Sequence, residues 1–248
     1  MITNAASGTR IEEVADGIYR INTPLDVVPG GFSFNQYLVV DDEPTLFHTG
    51  YRKMFPLVSE AISKVIPASS LRHIGYSHFE GDECGAMNEF LSVAPNATPF
   101  ASEISVLTSL NDFCSREGRA LKNGEVFSTG KRRLRWLYTP HVPHGWDCGV
   151  LFDESTEALL CGDLFTQGGS NTPAVTESDV LGPSELFRKP LDYFAHSVAT
   201  DGILENLAEL NPKLLACMHG SAYRGDGAAL LRALNDTLAR ERVAALAA

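Results

Sequence analysis

The sequence predicts an α+β protein in which two β-sheets pack face to face and helices cover their outer sides. Along the chain, strand-like apolar runs are followed by helical segments, and the same order then repeats. The 248 residues, 44% of them hydrophobic and 21% charged, suffice for one large core, and no linker, internal repeat or low-complexity tract interrupts them. We therefore expect a single domain over residues 1–248.

The first half of the chain is predicted to begin as a meander of strands and to continue with helices. A turn signal at 41–44 separates two apolar runs, and Pro67 ends a segment whose apolar residues follow the helical period. A polar, glycine-rich stretch at 115–130 follows these elements. The predicted strands are 11–24, 34–40, 45–48 and 71–76, and the predicted helices are 55–66, 84–91 and 101–113.

The second half repeats this order. A hairpin turn is predicted at 153–156, between two strands. The stretch 166–183 has little periodicity and is rich in Gly, Ser, Thr and Pro, so it is either a lid or substrate wall or a plain surface loop. The predicted strands are 132–138, 149–152, 158–160 and 214–218, and the predicted helices are 203–210 and 228–247.

Potential metal ligands are densest in Ser77-His78-Phe79-Glu80-Gly81-Asp82-Glu83-Cys84-Gly85. In an extended segment every second side chain points to the same side, so His78, Glu80 and Asp82 can converge on one point. Asp82 and Glu83 can also serve simply as the acidic start of a helix from Cys84. The alternation of His and Glu just before that start favours a metal site.

Three more potential ligands, His144, Asp163 and His219, each follow a strand-like run. Open sheets build sites from such strand ends along one edge. Three histidines and three carboxylates exceed what one tetrahedral zinc needs, so we expect two metal ions that share Asp163 as a bridge. Glu83 would add a fourth carboxylate and balance two divalent cations. Mixed, carboxylate-rich coordination favours iron, with manganese or zinc as the alternative.

The order His-x-Glu-x-Asp, His, Asp, His resembles the metallo-β-lactamase superfamily, and specifically the di-iron domain of flavodiiron proteins. The intervals of 66, 19 and 56 residues between His78, His144, Asp163 and His219 are close to that pattern, and 31–38 is similar to the family's first core strand. The resemblance implies a four-layer αββα metallo-β-lactamase-like sandwich with two iron ions. His78, Glu80 and His144 would bind one iron, and Asp82 and His219 the other.

The sequence departs from this family pattern at two positions. The hydrolytic branch of the superfamily has His where Glu80 stands, and flavodiiron proteins usually have His, a ligand of the second iron, where Glu83 stands. Glu83 either binds that iron or swings out and leaves an open coordination position. His48 occupies the place of an Asp that supports the metal loop. His141 competes with His144, but only His144 has the 19-residue interval to Asp163.

These residues lead to two hypotheses about function. The resemblance implies a di-iron protein that binds O₂ or NO as a sensor or reduces the gas. A reductase would need a separate flavoprotein or rubredoxin-type electron donor, because the sequence to Ala248 shows no flavodoxin domain or phosphate-binding glycine loop. The alternative is a binuclear metallohydrolase acting on an ester, thioester or lactone. A homodimer is a further expectation.

Charge, hydropathy and cysteine content argue against a nucleic-acid-binding, membrane or secreted protein. The net charge of −11, with no basic cluster larger than 131–133, argues against binding of nucleic acid or of an anionic membrane surface. No apolar run is long enough for a membrane span, and 1–10 does not look like a signal peptide, so a cytoplasmic protein is expected. The five scattered cysteines, an odd number without C-x-x-C spacing, are expected to be reduced and not to bind metal.

Overall fold

Two β-sheets form the centre of the molecule, for which a computed structural model describes residues 1–246. The strands of the first sheet follow one another in chain order. They are β1 (Ile2–Asn4), β2 (Thr9–Ala15), β3 (Ile18–Leu25), β4 (Phe32–Val39), β5 (Thr45–Phe47), β6 (His73–Gly75), β7 (Thr98–Ser102) and β8 (Arg119–Leu121).

The second sheet has the spatial order β13-β15-β14-β12-β11-β10-β9. Its strands are β9 (Val126–Ser128), β10 (Arg133–Tyr138), β11 (Gly149–Asp153), β12 (Ala158–Leu160), β13 (Val175–Thr176), β14 (Leu214–Ala216) and β15 (Ala222–Arg224). The α-helices are α1 (Phe55–Ile62), α2 (Gly81–Cys84), α3 (Met87–Val93), α4 (Glu103–Ser105), α5 (Asn111–Phe113), α6 (Leu181–Leu191), α7 (Thr200–Glu209) and α8 (Gly227–Leu246), and a π-helical turn, Val106–Leu110, joins α4 to α5.

Alternation of side chains along the strands creates four layers. In β4, Tyr37 and Val39 pack between the sheets, whereas Leu38 packs on the opposite face in the cluster that includes residues of α1 and α3. A separate cluster joins the outer face of the second sheet to α7 and α8. The predicted α+β class and the αββα metallo-β-lactamase-like sandwich are therefore confirmed.

Strand direction brings the predicted ligands to one edge of this sandwich. Strands β5 to β8 run parallel, and so do β12 and β14. Strand β10 has the same direction as β12, because each pairs antiparallel with β11. The loops that leave the carboxyl ends of β6, β10, β12 and β14 carry the residues singled out in the sequence.

Several predicted boundaries were wrong. The predicted strand 11–24 is the hairpin of β2 and β3, because Asp16-Gly17, with Gly17 at φ +64°, forms a tight turn. The predicted helix 84–91 is two helices, α2 and α3. The stretch 166–183 carries the short strand β13 and the start of α6. The predicted end of the last helix at 247 lies outside the described residues.

Six strands were not predicted at all. Strands β1, β8, β9, β13 and β15 have two or three residues each, and β7, with five, ends inside the segment predicted as the helix 101–113. Such short strands leave almost no periodicity in the sequence. Among residues 1–246, no helix combines the length and apolar character that crossing a membrane requires.

Candidate metal centre

Four of the predicted ligands converge at the edge of the two sheets. Single ligand atoms of His78, Glu80, His144 and Asp163 lie within 4.8 Å of one another. The Nε2 atom of His78 is 2.8 Å from Oε2 of Glu80, and the Nε2 atom of His144 is 3.4 Å from the same oxygen. The arrangement offers one ion two imidazoles and two carboxylates.

Two more of the predicted ligands, Asp82 and His219, lie by the other oxygen of Asp163. The Nε2 atom of His219 is 3.2 Å from Oδ1 of Asp163 and 3.5 Å from Oδ2 of Asp82. Oδ2 of Asp163 faces the first group, at 3.4 Å from Nε2 of His144 and 3.9 Å from Nε2 of His78. The two oxygens of one carboxylate therefore face two separate sets of ligands.

An unpaired polar atom supports a cation at this place. Oδ1 of Asp163 is buried and accepts no well-aligned hydrogen bond from the residues that the structure describes, although Nε2 of His219 lies 3.2 Å away. A buried carboxylate oxygen without a partner is costly, and a cation offsets that cost. The donor set fits two divalent ions that share Asp163.

The ring of His219 is fixed by its surroundings. Its Nδ1 atom lies 2.9 Å from the carbonyl oxygen of Ser33, which can only accept a hydrogen bond. Phe32 stacks on the ring with centroids 4.4 Å apart, and Phe34 contacts it edge-on. Because Nδ1 must donate to Ser33, the lone pair of Nε2 is directed at the candidate centre. Ser33 and Phe32 were not singled out from the sequence, since a backbone acceptor and a stacking ring carry no motif.

The structure does not bring Glu83 into this group. Oε2 accepts hydrogen bonds from the backbone N–H groups of Ser77 and His78 at 3.0 and 2.8 Å, and Oε1 accepts one from the Ser77 hydroxyl at 2.5 Å. Oε1 also lies 3.2 Å from Nδ1 of His78 and 3.6 Å from Nε2 of His48. The carboxylate expected to be a ligand thus faces the rear of the His78 ring.

The close packing of charged groups shifts the pKa values of several side chains in the candidate centre. Hydrogen bonds from His144 and His78 lower the pKa of Glu80. Burial raises the pKa of Asp82 to about 7, although His219 opposes that shift. Burial disfavours protonated His78 and His219, but Glu83 beside His78 and Asp163 beside His219 outweigh it and raise the pKa of both rings. Cations would displace these protons.

A mostly apolar cavity of about 510 Å³ opens onto the centre. Glu80, Asp82, His144, Asp163 and His219 form its polar side. The apolar walls include Leu25, Phe32, Phe34, Tyr51, Phe187 and Leu191. Thr166, in the stretch considered as a lid or wall, also lines the cavity, and Phe187 and Leu191 come from α6 directly after it.

The remaining candidates lie outside the ligand group. His48 is buried behind Glu83, near the Ser77 hydroxyl, whereas His141 is exposed. Asp147 supports the candidate centre from outside the ligand group. Its carboxylate accepts hydrogen bonds from the Phe79 N–H at 3.0 Å and from the Ser105 hydroxyl at 2.7 Å, and so holds the loop after His78. All five cysteines are free thiols outside the ligand group.

Known proteins share this fold and sequence. Rubredoxin-oxygen oxidoreductase of Megalodesulfovibrio gigas is 27% identical over 207 residues, which cover 79% of this chain and 50% of that protein. A putative diflavin flavoprotein A 5 fragment from Nostoc sp. PCC 7120 superimposes with a TM-score of 0.82 at 17% identity, covering 95% of this chain and 97% of the fragment. The flavodiiron protein from Giardia intestinalis gives a TM-score of 0.78 at 20% identity, covering 92% of this chain and 59% of that one.

The chain spans half the length, or less, of the curated relatives it matches. A protein-family model described as ODP family beta lactamase matches residues 32–220, a range that contains all six converging ligands. This match covers most of the chain and agrees with the resemblance to the metallo-β-lactamase superfamily and its flavodiiron members, so the chain belongs to the ODP family beta lactamases.

Proposed function

We propose that the chain holds two iron ions and binds or reduces O₂, with NO as the alternative gas. The observation that carries the proposal is the position of Asp163, whose two oxygens face two ligand sets. His78, Glu80 and His144 bind one iron, and Asp82 and His219 bind the other. The rubredoxin-oxygen oxidoreductase and flavodiiron names of the matched proteins support this choice of metal and gas.

The chain's own side chains prepare the site for two cations. All three histidines direct Nε2 at the centre, and Glu80, Asp82 and Asp163 supply hard oxygen donors. Two ferrous ions held by these residues would supply one electron each to the gas. The carboxylates neutralise most of the cationic charge, which lowers the cost of holding it in a partly buried site.

The cavity fits an apolar diatomic gas. The aromatic and aliphatic walls offer an apolar gas an apolar surface, while Glu80 and Asp82 lie at the polar side of the cavity, close to the proposed metal positions. Reduction, as opposed to reversible binding, requires electrons from outside the centre. We propose a separate flavoprotein or rubredoxin-type protein as the donor, in line with the name of the relative from Megalodesulfovibrio gigas.

Metal analysis and rapid mixing test this function. Protein loaded anaerobically with Fe²⁺ should contain two irons per chain and absorb visible light after oxidation. Stopped-flow mixing with O₂ should give one reaction per reduced centre, and repeated turnover only when an electron-transfer protein is added. His144→Ala and His219→Ala should each lower the iron content.

Two outcomes would refute the proposal. One metal ion or none, in protein supplied with ample iron, would contradict a binuclear centre. No spectral change with O₂, together with fast hydrolysis of thioesters or lactones by zinc-loaded protein, would assign the chain to the metallohydrolases.

A further inference from the structure

Glu83 is a buried carboxylate that lies beside Nδ1 of His78, whereas Nε2 of the same ring faces the candidate centre. Its side chain is fully buried, and its two oxygens contact five groups. Four of these are the N–H groups of Ser77 and His78, the Ser77 hydroxyl and Nδ1 of His78. The fifth contact, Nε2 of His48, is longer, at 3.6 Å. So many donors offset the cost of burying an ionised carboxylate.

We propose that Glu83 is a positioning residue that fixes the tautomer of His78 for metal binding. A neutral imidazole has one donor and one acceptor nitrogen, and an ionised carboxylate only accepts. Because Oε1 lies 3.2 Å from Nδ1, that nitrogen keeps its hydrogen in the neutral ring, and the lone pair falls on Nε2 once a cation displaces the proton that Nε2 shares with Glu80. Nε2 lies 2.8 Å from Oε2 of Glu80, on the side of the candidate centre. The inference rests on the proposed binuclear site.

The backbone around Glu83 keeps its side chain in this position. The Glu83 carbonyl oxygen accepts hydrogen bonds from the N–H group of Thr49 at 2.7 Å and from its hydroxyl at 3.1 Å. Gly162, next to Asp163, packs so closely that an added Cβ would lie 2.7 Å from the Ser77 hydroxyl. Because α2 and the Asp163 loop enclose Glu83 and Ser77, rotation of the carboxylate towards the cavity would break at least three hydrogen bonds.

Glu83→Gln tests the inference with minimal change in shape. The amide has one oxygen and one NH₂ group. The two backbone N–H groups that face Oε2 cannot turn away, so the amide oxygen stays with them and the NH₂ group faces Nδ1 of His78. Nδ1 must then accept and Nε2 must carry the hydrogen, which blocks its lone pair. We expect an affinity loss of roughly 10- to 100-fold at one of the two metal positions.

Calorimetric titration of the metal-free protein with Zn²⁺ measures this loss. The wild-type protein should bind two ions, and Glu83→Gln should bind one with unchanged affinity and one much more weakly. Glu89→Gln is the matched control, because Glu89 lies on α3 and its carboxylate pairs with the exposed Arg52. Wild-type protein that binds fewer than two ions would refute the proposed function itself. Two ions bound equally well by wild type and Glu83→Gln would refute only the role of Glu83.

Long-range ¹H–¹⁵N NMR of the Zn²⁺-loaded wild-type protein reads the tautomer directly and remains decisive if the variant does not fold. For His78 we expect a protonated Nδ1 and a metal-bound Nε2. A metal-bound Nδ1, or a protonated Nε2, would overturn the inference. A merely structural role of Glu83 in packing would not determine which ring nitrogen carries the hydrogen.

Discussion

Three groups of the metal centre hold protons more tightly in the folded, metal-free protein than in the unfolded chain. The pKa of Asp82 is raised to about 7, chiefly by burial. The pKa values of His78 and His219 are raised despite burial, because Glu83 and Asp163 stabilise the charged rings. Removal of the metal should therefore make the stability of the protein depend on pH in an unusual direction near neutrality.

The sign follows from proton linkage. A group with a raised folded pKa stabilises the fold below its unfolded pKa, and this stabilisation is lost as the pH rises through the folded pKa. For the two rings the loss begins near the ordinary value of 6.5. Each ring that keeps its proton only when folded contributes a slope of about 1.4 kcal/mol per pH unit. We expect the free energy of unfolding to fall by about 1 to 3 kcal/mol between pH 7 and pH 8.

Urea denaturation of chelator-treated protein at several pH values between 7 and 8 measures this slope. His78→Gln should reduce it by about 1.4 kcal/mol per pH unit, whereas His196→Gln, which changes an exposed ring bonded to Asp192, should not. With saturating Zn²⁺ the trend should reverse, because ligation requires neutral imidazole and ionised Asp82. A metal-free protein whose stability is constant or rises over this range would refute the reasoning.

Three substitutions test other parts of the structure. Asp163→Asn should lower the metal affinity of both positions, because it removes the shared charge, whereas Asp82→Asn should lower the affinity of one position. Titration of the metal-free variants with metal measures both effects. Arg20→Met should lower the unfolding free energy by roughly 3 kcal/mol or more, because the buried guanidinium donates hydrogen bonds to four backbone carbonyls; equal urea midpoints would contradict this. Gly162→Ala should cost about 1 to 3 kcal/mol, since Gly162 has φ +55° and its Cβ would press on the Ser77 hydroxyl; an unchanged midpoint would show that the loop relaxes.

The convergence of six ligands was predictable because it depends on local patterns. His78, His144, Asp163 and His219 each come three to six residues after a strand that the sequence identified. The carboxyl ends of parallel strands meet at one edge of a sheet whatever the exact register. Errors in the predicted strand lengths therefore did not affect the prediction that the ligands converge. The same robustness explains why the fold class was confirmed although six strands were missed.

The position of Glu83 was not predictable, because it depends on where a helix begins. A helix expected to start at Cys84 leaves Asp82 and Glu83 in the preceding loop, where both side chains can turn inward. Helix α2 instead begins at Gly81. Neighbouring residues in a helix point about 100° apart, so Asp82 faces the cavity while Glu83 faces the rear of His78. A difference of three residues in the start of this helix thus decides whether Glu83 can be a metal ligand or instead positions His78.

The two sheets contribute equally to the centre. His78, Glu80 and Asp82 follow β6 of the first sheet, whereas His144, Asp163 and His219 follow β10, β12 and β14 of the second. Metal ions bound here therefore join the two halves of the sandwich. Without them, Asp163 brings a third carboxylate near Glu80 and Asp82, and the raised pKa of Asp82 reflects in part this repulsion. An ion that binds the folded state more tightly than the unfolded chain adds stability that grows with the logarithm of its concentration over its Kd, so ions bound here would also hold the two sheets together.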